Sequence, residues 1–213
     1  MRRSDRARRI RVSVDPEHGV QVTLPRRARL RDAAAAVAEL QPWIERRVAE
    51  VDAARAQAAA LGDAIPFLGG TLELRAEPGR TRVHRSGDVL RVPPDDPVAV
   101  ERWLRRAARA ELEPRAHRAA AALGVRVARV TIRDPRTRWG SCSSSGSLSF
   151  SWRLVLAPED VLDYVVWHEV CHLREMNHSP RFWALVARHC PGYEEPRRWL
   201  RRNATALRVA LSS

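Results

Sequence analysis

Four side chains in a short window, His168, Glu169, His172 and His178, are of the types that hold a metal ion and move a proton beside it. His168 and His172 are four residues apart. On an α-helix each residue turns about 100°, so both rings project from one face, roughly one turn apart. Two imidazoles so placed can grip one ion from the same side. Glu169 follows the first histidine directly, and its carboxylate can reach a water on that ion without taking a ligand position. "HEVCH" therefore has the H-E-x-x-H spacing, which suits zinc-dependent hydrolysis. Such a spacing also arises by chance, with histidines merely packed in a core. The third donor must come from off this face. His178 lies six residues past His172, and Asn177 with Ser179–Pro180 favours a turn that folds it back. Three neutral imidazoles would leave Zn²⁺ its charge and one open position for water, the pattern of a catalytic ion. Glu169 would take the water's proton and later pass it to the leaving amine. Glu175 is the main rival third donor, because carboxylates also complete such sites. His189 is a further one, with a simpler role as a cation at a helix C-terminus. Cys171 reads as a small buried apolar side chain. Cys142 falls near the window but has no base to activate it. Tyr193, Arg138 and Arg181 could stabilise an oxyanion, and each also reads as structural.

The elements that must position these groups show in the hydrophobic pattern. "APEDVLDYVVWHEVCHLREM" (Ala157–Met176) predicts the helix that carries the pair. Pro158 suits its first turn, Glu159 and Asp160 complement its dipole, and Val161, Leu162, Val165, Trp167, His168 and His172 share one stripe. Ser179 caps the next helix, with Pro180 in its first turn and Pro191–Gly192 closing it. A last helix covers roughly Glu194–Leu207. Ahead of the site, Val125–Asp134 alternates as a strand. Arg136–Val155 reads as strand–turn–strand, turning at Ser143–Gly146 and then alternating Leu148, Phe150 and Trp152. An extended substrate could add to a sheet edge near "GSLSFSW".

Further upstream, Ile10–Val14 and Val20–Leu24 bracket "DPEHG" as a β-hairpin. Asp32 can cap a helix, and Pro42 breaks it before a second helix running to about Ala60. Thr71–Pro94 reads as a small antiparallel meander. "PPDDP" is a linker, and Val98–Leu123 is a helix with Trp103, Ala107, Ala110 and Leu112 inward, Pro114 as a bend and Gly124 as its stop. The fold class is α+β. Residues 1–95 form an N-terminal region of hairpin, helices and meander and residues 96–213 the catalytic domain, with one continuous domain as the alternative.

Composition bounds the function classes. The 213 residues are 45% hydrophobic and 30% charged, as in a folded globular chain. No apolar run approaches the roughly 20 residues of a membrane span. The basic N-terminus is followed by charges where a secretion signal has its apolar centre. The three cysteines, Cys142, Cys171 and Cys190, form neither a disulfide framework nor a zinc ribbon, so a reducing, cytoplasmic compartment is expected. The net charge is +13, and every basic residue bar the histidines is arginine. That balance suits nucleic acid. Yet the arginines are scattered and often sit beside acids, as a GC-rich coding sequence would produce without any binding role.

"RTRWGSCSSSGSLSFSWRLVLAP", "LDYVVWHEVCHLREMNHSPRFW" and "CPGYEEPRRWL" together resemble the SprT-like zinc metallopeptidases of the YgjP type, in the zincin group. The resemblance is close over Arg136–Leu200 and looser upstream. It implies a zincin-like α+β domain whose active-site helix packs on a mixed sheet, with Zn²⁺ on His168, His172 and His178 and Glu169 as acid/base. Metzincins carry glycine where this chain has Glu175, which argues against that clan. The expected activity is peptide-bond hydrolysis on a peptide or protein substrate. The alternative is a nucleic-acid-binding protein with a structural or vestigial zinc site, or a protease recruited to nucleic acid.

Overall fold

The computed structural model describes residues 1–16 and 18–211. They cluster into two compact units, residues 1–62 with the chain from Arg208, and residues 63–207. The histidine window lies wholly in the second.

In the first unit, β1 (Arg2–Ser4), β2 (Arg11–Asp15) and β3 (Gly19–Pro25) form a sheet of order β1-β3-β2. β2 and β3 are the expected hairpin, with Val12 opposite Val22 and Val14 opposite Val20. Its turn includes Glu17, which lies outside the described residues. β1 joins β3 in parallel, a pairing that the polar "RRS" does not announce. Val22 and Leu24 bury against Ala33 of α1 (Leu30–Glu39). Asp32 is not the cap expected of it. The helix starts at Leu30, three residues before the start such a cap would give, and the Asp32 carboxylate accepts from the Arg29 N–H at 3.2 Å from the third helical position. The chain then enters α2 (Gln41–Ala60), whose first turn takes Pro42 at no cost in hydrogen bonds.

In the second unit, β4 (Ala64–Phe67), β5 (Gly70–Ala76), β6 (His84–Ser86) and β7 (Val89–Val92) form a sheet of order β4-β5-β7-β6. This corrects the antiparallel meander, since β5 and β7 pair in parallel. Leu72 and Leu90 are buried while all of β6 is exposed, so β7 takes the inner place and β6 the edge. α3 (Ala99–Leu123) ends on Gly124, whose φ of 67° is the left-handed C-cap. Its buried stripe is Leu104, Ala108, Leu112, Ala116 and Leu123. The expected inward face was offset, because Trp103 leaves the stripe to pack on Phe67 at 5.4 Å.

The site rests on a third sheet of β8 (Arg129–Arg133), β9 (Gly140–Cys142) and β10 (Ser147–Ser151), in the order β8-β10-β9. β10 runs parallel to β8 and antiparallel to β9. The "GSLSFSW" strand is therefore the middle one and not an edge, since both its sides are paired. The edge beside the site is β9. Val130, Leu148 and Phe150 point into the core, and Thr131 and Ser149 point the other way. The strand does not run on to Val155. At Ser151 the side chain accepts from the Arg153 N–H, and a 3₁₀ turn (Trp152–Leu156) carries Trp152 and Leu154 into full burial. Arg153 is buried with them. Asp134 offers both carboxylate oxygens at 3.1 and 3.3 Å, the pairing a buried charge requires.

α4 (Glu159–Cys171) lays Val161, Leu162, Val165, Val166 and Val170 in the core between α3 and β9. It ends at Cys171, five residues before the Met176 expected, with His172 as its C-cap. α5 (Pro180–His189) is capped by Ser179, whose Oγ accepts from the Phe182 N–H at 3.4 Å. The single last helix expected is two, α6 (Glu194–Arg202) and α7 (Ala204–Val209). Asn203 parts them by donating its side-chain amide to the Trp199 carbonyl at 2.9 Å. No helix among the described residues is long and apolar enough to cross a membrane.

Phe150 is fully buried, so Phe150→Ala is expected to cost about 3–5 kcal/mol in urea unfolding. Ser149→Ala, on the opposite face of the same strand, should shift stability by less than about 0.5 kcal/mol.

Candidate metal centre

α4 turns His168 and His172 onto one face, with ring centroids 4.9 Å apart and planes at 85°. His172 sits at the helix C-cap. Its Nδ1–H donates to the Glu175 carbonyl at 3.0 Å, which leaves Nε2 as the free lone pair. One tighter turn follows, with the Arg174 and Glu175 N–H groups both on the Cys171 carbonyl, and the chain reverses. That reversal brings His178 Nε2 to 3.0 Å from His168 Nε2. One nitrogen from each of the three rings lies within 4.8 Å of the others. This set can hold a metal ion. Glu175, the rival donor, contributes its backbone carbonyl, and its carboxylate is not in the group. His189 is turned away and stacks on Trp167 at 4.8 Å.

Rings from α5 hold the cluster. Phe182 is fully buried and stacks on His172 at 4.4 Å, with edges toward His168 and His178. Trp183 lies along His178 at 5.6 Å, Tyr193 stacks on Trp183 at 5.3 Å, and Arg197 covers Trp183 at 4.4 Å. Tyr164 meets His168 edge-on at 5.8 Å. Burial, with His172, His178 and Arg197 nearby, lowers the His168 pKa to about 3. Burial lowers His172 as well. Both shifts favour the neutral ring at His168 and His172, the form that donates to a metal.

Glu169 is buried beside the triad, and burial pushes its pKa up to about 8 against a weaker opposing pull from Arg138. Arg138 is thus the electrophile candidate whose charge is felt at the site. Tyr193 belongs to the ring stack, and Arg181 is exposed at the start of α5. Behind Glu169 stands Gly140 of β9. A Cβ there would fall 2.6 Å from Glu169 Cγ and Oε1, so glycine makes the room the carboxyl occupies. Sequence reasoning missed Gly140 and Phe182. An isolated glycine in a strand signals close backbone approach, but nothing local says to what. Burial and Glu169 raise the Cys142 thiol to about 11, so it is no nucleophile, and Cys171 is buried.

An α+β unit with three imidazoles converging at a helix end, and a buried carboxyl on the same helix, has the architecture of a metal-dependent hydrolase. The YgjP-like metallopeptidase domain model matches residues 8–203, and the chain belongs to that family. Among solved structures, the metallopeptidase zymogen abylysin of Pyrococcus abyssi is similar over 43% of this chain and 93% of that one, at 24% identity and a TM-score of 0.39. No curated protein matches the sequence.

The two titration shifts act oppositely on the metal-free protein. Glu169, raised from 4.5 to about 8, contributes stability fully present below pH 4.5 and lost as pH rises through about 8. His168, lowered from 6.5 to about 3, contributes stability present above pH 6.5 and lost as pH falls through about 3. Urea midpoints in chelator should therefore rise from pH 8 to 6.5, level off, then fall below 4.5. Glu169→Gln should abolish the first limb and leave the last.

Proposed function

We propose that this protein is a zinc-dependent peptidase. His168, His172 and His178 hold the ion, and Glu169 serves as acid/base. The observation that carries the reading is the convergence of three imidazoles, with the buried carboxyl of the residue after His168 not among the donors. The residues present fit the ion. Donors about 2.0–2.1 Å from one zinc stand about 3.4 Å apart in a tetrahedron, and the spacing here runs from 3.0 Å to no more than 4.8 Å. An all-imidazole set suits zinc better than calcium or magnesium, which take oxygen ligands. The Glu175 carbonyl orients His172 as such a ligand requires. His168 Nδ1 is buried with no hydrogen-bond partner among the described residues. It carries the proton when Nε2 binds the ion.

Zinc, when bound, supplies Lewis acidity at the substrate carbonyl and acidifies a water. Glu169 moves the proton, at its carboxylate, from that water to the leaving amine. Its burial among apolar neighbours on α4 keeps the group out of bulk water, and Gly140 holds its place open. β9 positions the peptide. The Ser143 and Ser151 N–H groups bond to the carbonyls of Ser147 and Trp139. Alternation in this register gives Ser141 to β10 and turns the N–H and C=O of Gly140 and Cys142 outward. An extended substrate adding to that open edge lies beside Glu169. Three free cysteines, Cys142, Cys171 and Cys190, suit a cytoplasmic setting.

Glu169→Gln is expected to keep one zinc per chain by metal analysis while peptide hydrolysis falls about 10²–10⁴-fold. Retained activity in that variant would remove Glu169 from the mechanism. Gly140→Ala should do much the same, because the new Cβ, 2.6 Å from Glu169 Oε1, displaces the carboxyl but not the imidazoles. Its zinc content should be unchanged and its kcat reduced at least about tenfold, the lower range expected for a misplaced acid/base.

A further inference from the structure

The face of the β8-β10-β9 sheet turned away from the core carries a feature the hydrolytic reading does not use. Strand alternation puts Arg129, Thr131, Ser141 and Ser149 on one side, opposite buried Val130 and Leu148. With Arg133 and Arg138 they line a cleft of about 560 Å³. No carboxylate and no aromatic ring is among its lining residues. Some arginines elsewhere are answered by acids, as in Arg47–Glu50, Arg75–Glu73 and the cluster of Arg115 with Glu111, Glu159 and Asp163. Arg129 and Arg133 form no ion pair among the described residues, and Arg138 acts on Glu169 without a close ion pair. Like charges grouped without counter-ions are unfavourable unless an anion joins them. The cleft is continuous with the reactive groups, because Gly140 and Cys142 of the open edge also line it.

We infer that this cleft is a specificity subsite for acidic side chains of a polypeptide substrate, with Arg129 and Arg133 reading carboxylates that flank the bond to be cut. The inference rests on the peptidase reading for its site of cleavage. A chain lying along β9 sends alternate side chains to this face, and its next residues on that side follow about 6.6–6.8 Å apart. The long arginine side chains of β8 and the glutamate side chains of the substrate reach toward one another across three strand spacings of about 4.8 Å each. The hydroxyls of Ser141 and Ser149 in the same lining offer further donors to carboxylate oxygens. Single-stranded nucleic acid fits less well, since its binding surfaces stack bases on aromatic rings and this lining has none.

The test uses two labelled peptides alike except that one is flanked by glutamates and the other by glutamines. Zinc-loaded Glu169→Gln protein is titrated with each by fluorescence anisotropy, at low and high salt, and the unsubstituted protein is assayed for cleavage of both. The expected result is tighter binding and a lower KM for the glutamate peptide, a preference that shrinks with salt. Arg129→Glu/Arg133→Glu should reduce that preference about tenfold, through KM and not kcat, as two reversed exposed ion pairs would give. If that variant does not fold, Arg129→Gln/Arg133→Gln and the salt series carry the test. Equal binding of the two peptides, or an undiminished preference in the variant, overturns the subsite. Cleavage of neither peptide with the glutamate preference intact overturns the peptidase reading and leaves the subsite standing. An oligonucleotide that binds more tightly than the glutamate peptide, and is lost in the same variant, reassigns the cleft to nucleic acid.

Discussion

One local hydrogen bond organises the centre. His172 closes α4, and its Nδ1–H reaches the carbonyl of Glu175, three residues on. The bond fixes the tautomer of the ring and the course of the backbone together. With its Nδ1 committed, the ring offers only Nε2 to the triad. With the Glu175 carbonyl tied back, the chain cannot continue as helix and reverses. His178 then lands against His168 instead of trailing into solvent. Phe182 secures the arrangement from α5, a buried ring against all three imidazoles. Without that wedge the exposed His178 would have rotamers to lose on meeting an ion.

The same region is costly to fold. It buries a carboxyl, an imidazole and an unpartnered ring nitrogen in a setting that disfavours charge. The surrounding core offsets this. Trp152, Phe150, Leu154 and the valines of α4 form a dense apolar support immediately behind the polar groups. Gly140 marks where the two demands meet. The strand approaches the helix closely enough that any side chain at 140 would occupy the space of the Glu169 carboxyl. On the hydrolytic reading, what looks like strain in the metal-free fold is preparation for a cation.

A three-stranded sheet thus presents three different surfaces. One face is core, through Val130, Leu148 and Phe150. The free edge of β9 has backbone groups turned outward next to Glu169. The other face is arginine and hydroxyl without acid. The net charge of +13 is accordingly uneven in its effect. Some arginines are paired locally with acids, as along α3 and at Arg115, while Arg129 and Arg133 on this face form no ion pair among the described residues.

Short-range chemistry was legible in the residues themselves. Helical periodicity placed His168 and His172 on one face, Ser179–Pro180 announced the start of α5, and the Ser143–Gly146 turn separated β9 from β10. These depend on neighbours within a few residues, where dihedral preference and capping decide. Other features depended on segments far apart in the chain. β10 became the middle strand, β7 slipped between β5 and β6, and the buried stripe of α3 was offset from the one its apolar residues suggested. Gly140 gained its meaning from a glutamate on another element. Alternation tells which residues share a face, but not which face another element will cover or which edge stays open. Those follow from competition among distant apolar surfaces for one core, and that competition is settled only in three dimensions.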